Sequence, residues 1–177
     1  MTEKMNRRLR FRPDQSFTIV QFTDTHFEDG GEMDRRTAAL ISDVLDVEQP
    51  DLVVFTGDIL GGSGVRDVGL AWRLATAPIL ARRLPWCAVF GNHDDECGTS
   101  REIQLNIQRD LPGCLSRRGP KNLAGIGNYH LRLYNSDTPG TAAVLSFVDS
   151  NAYAETGIGG HGWVKADQIS WFSRSMQ

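Results

Sequence analysis

Three short apolar segments, each followed at once by polar residues, constrain the fold of this chain more than any other feature of its sequence. The segments are FTIVQF at 17–22, LVVF at 52–55 and WCAVF at 86–90. Each is almost continuous in apolar and β-branched residues, which is typical of a strand that is covered on both faces. Strands of this kind pack between layers of other elements, so the pattern favours an α/β fold.

The segments between these strands have the spacing of helices. Residues 34–48 place apolar side chains at helical intervals, and Pro50 prevents the helix from continuing. Residues 66–84 predict a second helix, which we expect Pro78 to kink or break. Strands therefore alternate with helices, which predicts that the sheet is largely parallel at its start.

The second half of the chain predicts four further elements. Thr99 and Glu102 have the spacing of a capping box that opens a helix. The other three are two strands and a last helix, at residues 128–134, 142–148 and 164–176. Ile169, Phe172 and Met176 lie on one stripe of that helix, as in an amphipathic helix whose apolar side faces a core.

Length, charge and cysteine content set the class of protein. A chain of 177 residues suits one domain, residues 1–177, with a core of its own. The net charge of −3 does not favour binding to nucleic acid or to an acidic membrane surface, and no stretch is long and apolar enough to span a membrane. Three cysteines without CxxC spacing predict reduced thiols, which are typical of the cytoplasm.

Each of the three predicted parallel strands ends in side chains that bind metals or protons. The carboxyl ends of neighbouring parallel strands meet at one edge of the sheet, where α/β proteins usually place their sites. We therefore expect six side chains to converge there, namely Asp24, His26, Asp58, Asn92, His93 and Asp94. Carboxylate, imidazole and amide donors suit Mn, Fe or Zn, and a carboxylate on the central strand can bridge two ions.

Each motif also has a structural interpretation when it is taken alone. A Gly-Asp pair after a strand is often a turn, and GNHD at 91–94 could cap a helix. Asp149 follows a later strand on the same side, where a turn is the simpler interpretation. The three motifs together, in this order and each at the end of a strand, favour a common site over coincidence.

These motifs resemble those that open the calcineurin-like metallophosphoesterases. The matching residues are DTH at 24–26, GD at 57–58 and GNHD at 91–94. Longer stretches between Leu9 and Phe172 resemble the purple-acid-phosphatase-related branch of that family. The resemblance implies a metallophosphoesterase-type β-sandwich with flanking helices.

The resemblance also implies a role for each residue at the strand ends. Asp24 and His26 would bind a first metal ion, Asp58 would bridge two ions and Asn92 would bind the second. The implied function is a metal-dependent phosphoester hydrolase, in which hydroxide activated by two divalent ions attacks the phosphorus of a phosphoester substrate. His93 would face the scissile phosphate, and Asp94 would orient its imidazole through the other ring nitrogen.

The chain also departs from the family pattern. The family uses three further histidines, whereas this chain has only His130 and His161 left, and we expect neither to be a ligand. Gly61 stands where purple acid phosphatases place a metal-binding tyrosine, so a ferric-tyrosinate centre is not expected. We therefore expect a domain that is incomplete at its C-terminus. We expect either a hydrolase, of which this chain is an incomplete piece or which another chain completes, or a non-catalytic remnant that folds and binds metal weakly.

Overall fold

A three-stranded parallel sheet forms the centre of the structure, a computed structural model that describes residues 8–155 and 157–176. Its strands are Ile19–Phe22 (β1), Leu52–Phe55 (β2) and Trp86–Ala88 (β3), in the spatial order β1-β2-β3. Both pairs are parallel, as the sequence predicts. Residues 1–7, 156 and 177 of the predicted domain lie outside the described residues.

Three helices cover one face of this sheet. They are Glu32–Glu48 (α1), Val68–Ala81 (α2) and Arg101–Asp110 (α3). Their apolar side chains and those of the sheet form one buried cluster, which includes Val53, Phe55, Trp72, Ile79, Trp86 and Leu105. Alternate residues of a strand point to opposite faces, so Val53 and Phe55 of β2 face the helices.

A second, antiparallel sheet packs on the opposite face. It consists of Tyr129–Tyr134 (β4) and Thr141–Phe147 (β5). Leu52, Val54 and Cys87 of the parallel sheet share a buried cluster with the inward residues of the second sheet, among them Tyr129, Leu131 and Phe147. Strand β2 is therefore buried on both faces, which explains its uninterrupted apolar sequence.

The last helix, Ala166–Ser175 (α4), lies on the outer face of β4 and β5. The ring of Trp171 stacks on His130 of β4 with 4.6 Å between ring centroids, and Gln168 is fully buried. The order of layers is thus helices, parallel sheet, antiparallel sheet and helix, which is the expected sandwich with flanking helices. None of the helices in the described part of the chain is long and apolar enough to cross a membrane.

The expected apolar contact of α4 is wrong. Ile169, Phe172 and Met176 are 56%, 41% and 45% exposed, because the helix docks through its neighbouring stripe. That stripe is polar and aromatic, since it meets His130 on the outward side of a strand whose apolar residues face the core.

Two helix boundaries also differ from the prediction. Helix α2 is not broken at Pro78 and continues to Ala81, so the proline lies within its last turn. The cap of α3 is Ser100, not Thr99, because the Ser100 side chain accepts a hydrogen bond from the backbone N–H of Ile103.

His130 should make the stability of the chain depend on pH. Burial lowers the pKa of its imidazole, so the unfolded chain binds this proton more readily than the folded chain. The stability contributed by neutral His130 should be fully present above about pH 6.5 and should be lost as the pH falls through the lower, folded-state pKa.

Denaturant unfolding of the metal-free chain between about pH 8 and about pH 5 measures this effect. The variant His130→Gln should lose that part of the pH dependence. Arg132→Gln, at an exposed position on the same strand, should keep it. Equal pH dependence in the wild type and His130→Gln would contradict the prediction.

Candidate metal centre

The loops that follow β1 and β2 stay hydrogen-bonded to each other beyond the ends of the strands. The backbone N–H of Asp24 donates to the carbonyl of Gly57 at 3.1 Å, and that of His26 donates to the carbonyl of Asp58 at 3.1 Å. The two loops therefore extend the parallel pairing of the sheet. This extension carries the first two predicted motifs to the same place.

Asp24, His26 and Asp58 form a cluster whose ligand atoms all lie within 4.8 Å of one another. All three residues have left-handed backbone conformations, with φ values of 53°, 46° and 50°. Asp and His adopt this region more often than most residues, yet it still costs on the order of 1 kcal/mol at each position. Strained residues of this kind cluster at functional sites, where the surrounding structure holds them in place.

Asp94 fixes the turn that follows β3, residues 91–95, which we call the β3 turn. Its side chain is fully buried. The carboxylate accepts backbone hydrogen bonds from Asp58, Ile59, Leu60 and Gly91 at 2.7–3.0 Å. Burial raises the pKa of Asp94, while the bonds from Leu60 and Gly91 oppose this rise.

The expected hydrogen bond between Asp94 and the His93 ring is not formed, which corrects the prediction that Asp94 orients this imidazole. The oxygens of Asp94 bind the backbone beneath the turn, and Nδ1 of His93 binds Oε2 of Glu96 at 2.8 Å instead. Glu96 reaches the ring because it lies three residues further along a tight turn. This hydrogen bond raises the pKa of His93.

His93 nevertheless lies at the cluster. Its backbone N–H donates to Oδ1 of Asp58 at 2.8 Å, and its ring centroid is 5.5 Å from that of His26. The ring is partly exposed, with 41% of the side chain accessible to solvent. The structure thus places this imidazole beside the clustered side chains, with one edge towards solvent.

Asn92 joins the site through residues that the sequence did not indicate. Its side-chain amide donates to the hydroxyl of Tyr153 at 3.2 Å, and that hydroxyl also donates to Glu96. The Tyr153 and His93 hydrogen bonds lower the pKa of Glu96. Glu96 could have been found from the sequence, because an acidic residue three positions after His93 can reach its ring. Tyr153 could not, because it is 61 residues from Asn92 and no local pattern points to it.

The two remaining histidines lie on the second sheet and on a loop. His130 is hydrogen-bonded to Ser146 and Ser175 beneath α4, so its role is in packing. His161 is exposed, and its ring stacks on Tyr153 with 5.9 Å between centroids. Asp149 is buried and accepts bonds from the backbone of Ile126 and Asn151, which fits the expected turn.

Glu28 fills the space beside Gly61. A Cβ at position 61 would lie 2.6 Å from Cγ of Glu28, so a larger side chain requires Glu28 to move. With Glu28 in this position, there is no room for a tyrosine side chain at residue 61.

The clustered donors fit a divalent cation. Two carboxylates and one imidazole supply hard and borderline oxygen and nitrogen ligands, which Mn, Fe and Zn accept. The negative charges of Asp24 and Asp58 repel each other at this distance, and a cation would compensate them. Among the Asp, Glu, His and Cys side chains of the described residues, these three form the one group with such spacing.

Comparison with known proteins agrees with these motifs. A family model described as "Calcineurin-like phosphoesterase" matches residues 17–173. A protein named "Probable inactive purple acid phosphatase 29", from Arabidopsis thaliana, is 34% identical over 96% of this chain and 49% of its own length. "Phosphatase DCR2" from Saccharomyces cerevisiae is 35% identical over 91% of this chain and 32% of its own length.

A third relative, "Probable inactive purple acid phosphatase 14" from Arabidopsis thaliana, is 30% identical over 96% of this chain. The chain spans half or less of the length of these three curated relatives, with coverage of 49%, 32% and 49%.

Replacement of Gly91 by alanine should disrupt the cluster. A Cβ at this position would lie 2.2 Å from Oδ1 of Asp58, so the carboxylate must move. We expect a loss of about 1–3 kcal/mol in the free energy of unfolding and weaker Mn²⁺ binding. Denaturant unfolding and Mn²⁺ titration measure the two effects. Gly31→Ala is the control, since its Cβ would meet its nearest neighbour at 3.7 Å, and wild-type behaviour of Gly91→Ala would contradict the prediction.

Proposed function

We propose that this chain, which belongs to the calcineurin-like phosphoesterase family, forms part of a metal-dependent phosphoester hydrolase. The observation that carries the proposal is the cluster of Asp24, His26 and Asp58, with ligand atoms within 4.8 Å and left-handed backbones. Three polar side chains that converge on a partly exposed surface serve no apolar packing, and their donor types suit a divalent cation.

The donor set suggests how two ions would be held. Asp24, His26 and Asp58 would bind the first ion, and Asp58 and Asn92 would bind a second. Bound divalent cations supply the electrophilic activation and charge neutralisation that phosphoester hydrolysis requires. Mn, Fe and Zn all match these ligands, and the substrate class is a phosphoester.

His93 would contact the phosphoester. With Nδ1 held by Glu96, the other ring nitrogen is left to face a substrate oxygen. The hydrogen bond to the Glu96 carboxylate favours the imidazolium form of His93, in which both nitrogens carry protons and can donate. His93 would therefore hydrogen-bond a phosphoryl oxygen or pass a proton to the leaving alkoxide. Asp94 would position the β3 turn without touching the substrate.

A second candidate is a non-catalytic protein that binds metal. Two of the relatives above carry the word "inactive" in their names. Within the described residues, the second ion would have only Asp58 and Asn92 as donors, and two donors rarely hold a borderline ion against water. A reading frame that continues beyond codon 177 into further histidine motifs would favour the hydrolase.

Metal analysis tests the donor set. After incubation with Mn²⁺ and desalting, residues 1–177 should retain about one ion per chain, because only the first site has three donors. Hydrolysis of a generic aryl phosphate by this chain should stay near background.

Asp58→Asn should abolish the retained Mn²⁺, while Asp46→Asn, an exposed change on α1, should not. Two tightly bound ions with robust hydrolysis would show that other side chains complete the second site. Mn²⁺ retention by Asp58→Asn would overturn the assigned ligands.

His93→Ala separates a substrate role from a ligand role. In the complete gene product, we expect this variant to keep its metal content and to lose turnover by about 100-fold or more. Metal analysis and aryl phosphate hydrolysis are measured on the same samples. Loss of metal with unchanged turnover per bound ion would mean that His93 is a ligand.

A further inference from the structure

Arg101, at the start of α3, is buried against the β3 turn. Only 8% of its side chain is exposed. One guanidinium nitrogen donates to Oδ1 of Asp149 at 2.6 Å, and another donates to the carbonyl of Gly91 at 2.6 Å. The guanidinium also lies over the ring of Phe90, 5.6 Å from its centroid. A buried cation with these contacts joins two parts of the chain that are far apart in sequence.

The contact with Gly91 acts directly on a candidate ligand. The carbonyl of Gly91 and the N–H of Asn92 belong to the same planar peptide unit. A hydrogen bond that holds this carbonyl therefore holds the peptide plane that precedes Asn92, and so restricts the direction of the Asn92 side chain. One residue later, the N–H of His93 donates to Asp58, so the same turn also orients the carboxylate at the centre of the cluster.

The two sides of the β3 turn have different anchors. On its inner side, Asp94 binds the N–H of Gly91 and ties the turn to the loop after β2. On its outer side, Arg101 binds the carbonyl of Gly91. Nε of Arg101 also lies 3.4 Å from Oδ2 of Asp95, without the alignment of a hydrogen bond.

Asp149 gives Arg101 a rigid partner. Its carboxylate is fully buried at the end of β5 and accepts the backbone N–H groups of Ile126 and Asn151. Its own backbone is held by Asn128 and by Gln168 of α4. The charge pair therefore connects the turn after β3 to the second sheet and to the last helix.

We infer that Arg101, anchored by Asp149, is a positioning residue that holds Asn92 and Asp58 in the geometry that binds metal. The inference rests on the proposed function, and it adds a residue that touches neither metal nor substrate. Arginine suits this role because its planar fork presents two donors in fixed directions, one to Asp149 and one to Gly91. Lysine would keep the charge and lose the fork.

The first measurement is Mn²⁺ affinity by calorimetry on folded protein. Side chains that orient metal ligands typically contribute about 10- to 100-fold to affinity, and we expect a loss of this size in Arg101→Gln. Arg101→Lys should recover only part of it. Arg118→Gln is the matched control, since it breaks the partly exposed ion pair with Glu102 of α3, and it should bind Mn²⁺ as the wild type does.

The second measurement needs no metal. Amide hydrogen exchange of Gly91 and His93 in the metal-free chain should become faster in Arg101→Gln, by about tenfold or more, because the turn is then held less firmly against their acceptors, Asp94 and Asp58. If Arg101→Gln fails to fold, Arg101→Gln/Asp149→Asn is measured instead, because it removes both buried charges.

The outcomes separate the two proposals. A wild-type chain that binds no Mn²⁺ refutes the proposed metal site itself. Wild-type binding together with unchanged affinity in Arg101→Gln, or in the double variant, overturns the positioning role and leaves the proposed function standing. Lower thermal stability with unchanged affinity and unchanged exchange at Gly91 and His93 would also overturn it, since that result describes a structural role only.

Discussion

The candidate site depends on one buried carboxylate. Asp94 accepts four backbone N–H groups from the loops that follow β2 and β3. These groups lie beyond the last residues of the strands, where the sheet no longer offers them partners, and a buried N–H without a partner is costly. An ionised carboxylate can accept about four hydrogen bonds, so a single side chain satisfies all of them and locks the loops together.

This arrangement requires the two loops to approach very closely. A Cβ on Gly57 would lie 2.8 Å from the backbone of Gly91, and a Cβ on Gly91 would meet the Asp58 carboxylate. Only glycine allows this contact, and Gly57 also has a φ of 112°. The glycines of the GD and GNHD motifs are therefore as necessary to the geometry as the side chains that follow them.

Polar contacts also connect the layers around the site. Arg101 and Asp149 join α3 to the end of β5, and Gln168 joins α4 to Asn128 and to the backbone of Asp149. Most of the buried polar atoms in this network are hydrogen-bonded, and those hydrogen bonds fix how the layers meet. The apolar clusters on the two faces of the parallel sheet hold the layers together. The polar network fixes the relative position of α3, α4 and the second sheet next to the site.

The sequence by itself determined the central sheet and the position of its polar ends. Uninterrupted apolar strands require cover on both faces, and strands that alternate with helices run parallel, so Asp24, His26 and Asp58 had to meet at one edge. Local pattern could not determine contacts between residues distant in the chain. The hydrogen bonds of Asp94 depend on how the loops after β2 and β3 approach each other. The bond between Asn92 and Tyr153 and the pair of Arg101 and Asp149 depend on how the second sheet and α3 pack on the first. Likewise, the face of α4 that docks on the sheet is the one whose Trp171 and Ser175 side chains contact the outward His130 of β4.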